Sequence, residues 1–315
     1  MTECGRIAGP GKTPLVRPSF QTKYAHLKRI VSRAGSALVA FSGGVDSTFL
    51  LKVCRDVLKK NVLAVTARSE TLPVRELEAA RELAEKMMAE HIVIDTEELK
   101  LPGFSDNPPN RCYMCKTELF SKVKRIAEKR NINRVFDGCN ADDKSDFRPG
   151  RIAAREMGIR SPLEEAGLTK AEIRSLSKMI NLPTWDKPSF ACLSSRFPYH
   201  SKITIETLRQ VENAENYLWN LGMRVFRVRH HDTIARLELG KKEIQFLRES
   251  GLKNQIVKYF KFIGYKYIAL DLEGYRTGSM NETLTHLKGS KHLHPKQLKK
   301  ICSILFLINI FRFKR

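Results

Sequence analysis

Short apolar runs alternate with stretches of helical spacing along the first half of the chain. Residues 37–41, Ala-Leu-Val-Ala-Phe, form a continuous apolar run that predicts a buried strand, and Ser42-Gly43-Gly44 breaks it. Residues 46–58 then carry Phe49, Leu50, Val53 and Val57 at helical spacing. A second strand is predicted at 62–66 and a helix at 73–88, with Pro73 near its start, where a missing N–H costs little. A third strand is predicted at 91–95, a basic helix at 115–129 and a fourth strand at 134–136. Strands and helices alternating through short links predict an α/β fold with a doubly wound parallel sheet. Ligands of such sheets bind at the carboxyl ends of the strands. The loops after Phe41, Thr66, Asp95 and Phe136 are therefore expected to face one crevice.

The pattern changes further on. A helix is predicted at 169–179, and residues 181–199 contain Pro183, Pro188 and Pro198, the mark of a loop or linker. A helix at 204–221, paired strands at 224–229 and 233–239, a helix at 241–250 and a strand at 267–270 then predict a smaller α+β domain. The expected organisation is a loose segment at 1–21, the α/β domain at 22–198, an α+β substrate or oligomerisation domain at 199–282, and a poorly ordered basic tail at 283–315. No internal repeat stands out.

Composition adds partners and compartment. The 315 residues are 42% hydrophobic and 29% charged, which fits a globular chain, and 56 Lys and Arg against 34 Asp and Glu give a net charge of +22. That balance suits anionic partners such as nucleotides, phosphorylated metabolites or RNA. Eight of those charges follow Thr285, where no acid stands, around an apolar run at 301–311 too short to span a bilayer. No apolar run reaches the ~18 residues of a membrane span. Residues 1–20 lack the apolar stretch of a secretory signal, so a cytoplasmic protein is expected. Gly-Pro-Gly-Lys-Thr at 9–13 looks like the end of a Walker A loop, but Arg6 stands where that motif needs glycine and no strand precedes it. Seven cysteines, an odd number, argue against a disulfide framework.

Two features carry candidate chemistry. Ser42-Gly43-Gly44-Val45-Asp46-Ser47 lies between a buried strand and a helix. Paired glycines give an anion access to backbone N–H groups, and the helix start adds its positive dipole end. Ser42 and Ser47 add hydroxyls, and Asp46 can cap the helix or help hold Mg2+. A plain glycine turn explains any two of these residues but not all six after a strand. The second feature is Cys112, Cys115 and Cys192. Cys112 and Cys115 form Cys-x-x-Cys at a helix start, where the dipole, Arg111 and Lys116 favour the thiolate. The residues leave three readings open: unrelated thiols, a structural Zn2+ site with His200 as fourth ligand, or an iron–sulfur cluster with one iron left open. Arg227 and Arg229 alternate on a predicted strand and so share a face, where guanidinium groups can pair with phosphate. Solvated surface charge is the other reading of both. Glu238 is on the next strand, and the Asp142–Asp143 pair reads either as a Mg2+ holder or as a helix cap.

The hexapeptide resembles the PP-loop of N-type ATP pyrophosphatases, which cleave ATP to AMP and pyrophosphate. Four further blocks narrow the resemblance: Asn110-Arg111-Cys112-Tyr113-Met114-Cys115-Lys116; Asp137-Gly138-Cys139-Asn140-Ala141-Asp142-Asp143 with Asp146 to Gly150; Lys187-Pro188-Ser189-Phe190-Ala191-Cys192-Leu193-Ser194-Ser195-Arg196; and Gly274-Tyr275-Arg276-Thr277-Gly278-Ser279. Together, over about residues 24–282, they resemble the LarE family, ATP-dependent sulfur transferases that build the nickel-pincer nucleotide of lactate racemase. The resemblance implies ATP and Mg2+ as cofactors, with Ser42 to Ser47 on the nucleotide. It implies a pyridinium biscarboxylic acid mononucleotide as substrate, bound by Arg196, Arg227 and Arg229, with Cys192 catalytic. It further implies either a [4Fe-4S] cluster on Cys112, Cys115 and Cys192 carrying a hydrosulfide, or a sacrificial Cys192 left as dehydroalanine. Other nickel-pincer proteins and copies of the chain itself are the implied partners, and nucleic acid is not. Two departures stand near these sites: Cys139 where threonine is expected and His200 where glycine is expected. The alternatives are a PP-loop tRNA thiolase using an iron–sulfur cluster and a nucleotide-binding regulator without chemistry.

Overall fold

The structure is a computed structural model that describes residues 19–144, 149–249, 251–276 and 278–282. The expectations for residues 1–18 and 283–315 lie outside the described residues, as do Cys4, Cys302, Thr277 and residues 145–148 of the second block.

The chain separates into two compact units at Ala191/Cys192, earlier than the boundary after residue 198 expected from the prolines. In the first unit β1 (Ala37–Ala40), β2 (Val62–Arg68), β3 (Glu90–Asp95) and β4 (Arg134–Phe136) form one parallel sheet in the order β3-β2-β1-β4. Alternation along β1 feeds two cores. Ala37 and Val39 join the cluster made by α1 (Phe20–Ser32), α2 (Val45–Leu58), α3 (Val74–Lys86) and α7 (Lys170–Met179), whereas Leu38 joins the cluster of α4 (Arg111–Lys129) and α5 (Pro149–Glu156). Helices therefore cover both faces, as the continuous apolar run of a parallel strand requires. Phe49, Leu50, Val53 and Cys54 are fully buried on α2, each large side chain contributing about 1.5–3 kcal/mol. α1 starts at Phe20, capped by Ser19, and so begins inside the segment expected to be loose. α6 (Pro162–Glu165) is a single turn, and a capping box of Thr169 and Glu172 starts α7.

In the second unit α8 (Ile205–Asn220) precedes a three-stranded sheet of β5 (Phe226–His231), β6 (Ile234–Leu239) and β7 (Tyr267–Leu270). β5 and β6 are antiparallel, with Arg227 opposite Glu238 and Arg229 opposite Arg236, while β7 runs parallel to β6 through α9 (Lys241–Glu249) and α10 (Lys253–Phe262). Its core is separate, built on Leu218, Phe226, Val228, Leu237, Phe260 and Tyr265. Among the described residues no helix is long and apolar enough to cross a membrane.

Candidate active site

The carboxyl edge of the first sheet carries the loop from Ser42 to α2. Gly44 is the N-cap of α2 and no side chain caps that end, so Asp46 does not serve as the cap. Ser47 closes the loop on itself: its hydroxyl accepts from Ser42 N at 3.3 Å, lies 3.1 Å from Ser42 Oγ and donates to Gly44 O at 3.3 Å. Gly43 has φ +66°, and a Cβ there would stand 3.1 Å from the backbone of Ala80 in α3. Packing on α3 thus adds to access for an anion as a reason for glycine. At Gly138, after β4, a Cβ would stand 3.2 Å from Ser47 N, so any larger residue there presses on the start of α2.

Side chains around the loop are held in advance. Lys170 Nζ donates to Asp46 Oδ2 at 2.5 Å, while Asp46 Oδ1 is buried without a hydrogen-bond partner. Burial pushes the Asp46 carboxyl above the usual aspartate range, against the opposite pull of Lys170. The orphaned oxygen fits a cation at that position. Lys187, quoted in the third block but not singled out there, donates to Gly43 O at 3.2 Å and to Glu76 Oε2 at 2.8 Å. Beneath the loop, Thr66 Oγ1 donates to Phe41 O at 2.7 Å and lies 2.8 Å from His91 Nε2. With the Thr66 proton on Phe41, His91 Nε2 is the donor of that second bond.

The second block forms a tight turn. Asp137 accepts from Cys139 N, Cys139 Sγ and Ser161 Oγ at 3.1, 3.2 and 2.6 Å. Burial and Asp137 push the Cys139 thiol up to about 12, so it stays protonated and gives Asp137 the donor that a threonine hydroxyl would supply. Asp142 accepts from Lys170 N at the start of α7 and Asp143 from Asn140 N, which fits the capping reading of that pair.

Cys112 lies in the first turn of α4 and Cys115 at the start of the second, because the helix starts four residues earlier than its apolar pattern predicts, at Arg111 instead of Cys115. Cys112 is exposed, and Cys115 is half-buried with its thiol directed at Glu98 Oε1, 3.5 Å away. Glu98 is buried and was not read from the sequence as a neighbour of this thiol. It sets a negative charge against the helix dipole and basic residues expected to favour thiolate. Arg111 is buried and donates to Asn107.

In the second unit, Cys192 begins a 3-10 turn, Leu193–Arg196. Its carbonyl accepts from Ser195 N at 3.0 Å, Ser195 Oγ at 2.8 Å and Arg196 Nη1 at 3.2 Å. Arg196, expected to meet a substrate anion, is fully buried and forked onto Glu215, with both bonds 2.9 Å. Arg227 is pulled down to about 10 by burial and by neighbouring Arg196; its guanidinium lies 5.1 Å from the Tyr275 ring. Arg229 donates to Glu238 and Ser279, each at 2.7 Å, and to Ser195 O at 2.8 Å, leaving its buried Nε without a partner. Arg236 pairs with Glu238 at 3.1 Å and with Asp271. Arg196 and Arg229 both bond the Cys192 turn itself, and Arg227 is near enough to Arg196 to be shifted by it, so positive charge gathers there, as an anion site requires. His200 has φ +67°, the left-handed backbone that explains why glycine is expected there. Among the described residues no three His, Cys, Asp or Glu side chains stand together as a metal site; Cys112 and Cys115 belong to the first unit, and Cys192 and His200 to the second.

The parallel sheet, the self-closed Ser-Gly-Gly-Val-Asp-Ser loop and the glycine-tight second block define a PP-loop, ATP-using enzyme. In agreement, a family profile described as NAD synthase matches residues 20–118. The chain is 38% identical over 269 residues to pyridinium-3,5-bisthiocarboxylic acid mononucleotide synthase of Lactiplantibacillus plantarum, spanning 85% of this chain and 96% of that protein. It is 43% identical over 266 residues to an uncharacterised protein of Synechocystis sp., covering 84% and 99%, and 30% identical over 240 residues to one of Methanocaldococcus jannaschii, covering 76% and 90%. The chain belongs to the LarE family.

Proposed function

We propose that this enzyme adenylates a carboxylate of pyridinium-3,5-biscarboxylic acid mononucleotide and replaces one of its oxygens with sulfur. The observation that carries the reading is the loop at Ser42 to Ser47, closed on its own hydroxyls beside a buried, unpartnered Asp46 oxygen. A carboxylate oxygen attacks the α-phosphorus of ATP, the α–β bridging bond breaks, and pyrophosphate leaves from the loop. Mg2+ at Asp46 would neutralise charge on the phosphates. A sulfur nucleophile then attacks the acyl carbon and AMP departs with the oxygen. Arg227 and Arg229 are proposed to hold the nucleotide phosphate. Arg196 enters as the residue that fixes the Cys192 carbonyl, because Glu215 takes up its fork.

Cys192 is the proposed point of sulfur delivery. As a sacrificial donor, its thiolate forms a thioester; loss of the Cα proton and breakage of the Cβ–S bond then release the thiocarboxylate and leave dehydroalanine. The other route, which the presence of all three cysteines favours, is a [4Fe-4S] cluster on Cys112, Cys115 and Cys192 with hydrosulfide on its open iron, supported by the close spacing of the two thiols at the start of α4. Two of its ligands would come from the first unit and one from the second. An anaerobic iron and acid-labile sulfide assay, joined to intact mass spectrometry after turnover, separates the two. Loss of the mass of one hydrogen sulfide from iron-free active protein establishes Cys192 as donor. Repeated turnover of a brown protein with no mass loss establishes the cluster.

ATP use fits a reaction in the cytoplasm, and the thiocarboxylate product implies a metal-inserting partner downstream. The exposed Phe262 and Leu272 of the second unit support self-association. The tRNA thiolase reading has no comparable support, since the full-length relative named for its product acts on a mononucleotide.

A further inference from the structure

Lys187 is five residues before Cys192 in sequence, yet its ammonium is at the phosphate loop. Two of its three donors are accounted for, one by Gly43 O at 3.2 Å and one by Glu76 Oε2 at 2.8 Å. Its backbone is fixed independently. Arg174 of α7 donates to Trp185 O and Lys187 O, each at 2.7 Å, and Lys178 lies 4.6 Å from the Trp185 ring. Glu76 is buried in the first turn of α3 and has a second cation nearby, Arg75 at 3.8 Å. The ammonium can therefore leave Glu76 without stranding an uncompensated buried carboxylate.

A lysine whose partner is a backbone carbonyl of the anion loop itself is within a side-chain rotation of any phosphate seated there. Phosphate is also a stronger acceptor for it than the carbonyl. We propose that Lys187 is a contact for the pyrophosphate portion of ATP and that Glu76 is its resting partner. This rests on the PP-loop reading of the site and adds to it a group that the hexapeptide does not contain.

The test is calorimetric binding of inorganic pyrophosphate and of AMP, with Mg2+, to the full chain. Lys187→Met should weaken pyrophosphate by about 10- to 100-fold, the scale of a lost charge-assisted hydrogen bond, and leave AMP within about twofold. Lys187→Arg should restore most of the pyrophosphate affinity. Glu76→Gln, which keeps the lysine and removes its rival acceptor, should tighten pyrophosphate several-fold relative to AMP. An unchanged pyrophosphate-to-AMP ratio in Lys187→Met, or no gain in Glu76→Gln, makes Lys187 a structural pin and overturns the proposal. Wild-type protein that binds neither ligand overturns the PP-loop reading itself.

Discussion

Replacing Glu215 with glutamine tests whether the buried arginine cluster is held by charge. Glu215 is 1% exposed and accepts both arms of Arg196, itself 0% exposed, as well as Val228 N at 3.1 Å. Burial alone would raise this carboxyl, but Arg196, with help from Arg227 and the Val228 N–H, holds it below the usual glutamate range. Its stabilising contribution is therefore fully present above that range and is lost as pH falls through the lowered value. Glu215→Gln keeps the shape and leaves a guanidinium buried without its counter-charge, at a cost of about 3–5 kcal/mol. With a typical denaturant slope, the midpoint of the second unit falls by on the order of 2 M urea. The chain has two tryptophans, Trp185 and Trp219, so in a Trp185→Phe background Trp219 fluorescence reports the second unit. The same variant should alkylate faster at Cys192, whose carbonyl Arg196 and Ser195 restrain, and should lose the acid-side dependence of stability. The double variant Arg196→Met with Glu215→Leu should recover much of the stability without restoring the restraint on Cys192. A loss below about 1 kcal/mol in the single variant, or no recovery in the double, would refute the reasoning.

Three other perturbations follow from the same geometry. Gly138→Ala puts a methyl 3.2 Å from Ser47 N and should weaken ATP binding at least about tenfold with little change in the melting of the second unit, measured by calorimetry on the purified chain. His200→Gly relieves the left-handed backbone and should raise urea stability by up to about 1 kcal/mol; a loss would mean that the His200 side chain has a contact role. The raised Asp46 carboxyl favours the folded state while protonated, and that contribution disappears as pH rises through its folded value. The Mg2+-dependent rate should move the opposite way, falling as Asp46 becomes protonated, at a pH that moves lower as Mg2+ is raised because metal and proton compete for the carboxylate, and Asp46→Asn should abolish that limb of the pH–rate profile.

Period-two and period-3.6 patterning made the α/β unit legible, because its parallel strands are continuous apolar runs and α2 has a clear buried stripe. α1 and α10 were not read: Lys and Gln crowd their sequences, and α10 buries only Ile256 and Phe260. The phosphate loop was legible because six chemically apt residues are contiguous. Lys187 was not, since its partners Gly43 and Glu76 are 144 and 111 residues away and no periodicity reports such a contact. The resemblance implies an anion role for Arg196, and its own segment, a basic residue near a cysteine, does not show the ion pair it makes with Glu215. The available signal was Glu215, an acid beside Ala214 on the apolar stripe of α8 that also buries Val211 and Leu218. Cys139 and His200 stood out as departures, and only the geometry showed that one keeps a donor to Asp137 and the other accepts a left-handed turn.

The most direct test of the central claim is a single anaerobic reaction of the purified chain with ATP, Mg2+ and pyridinium-3,5-biscarboxylic acid mononucleotide. The small-molecule products are resolved by mass spectrometry and AMP is quantified in the same sample. The account predicts one oxygen-for-sulfur exchange in the mononucleotide for each AMP formed, both lost together in Cys192→Ala while pyrophosphate release persists. AMP formed with no sulfur in the product under any sulfur supply, or sulfur transfer that proceeds without ATP, would contradict it.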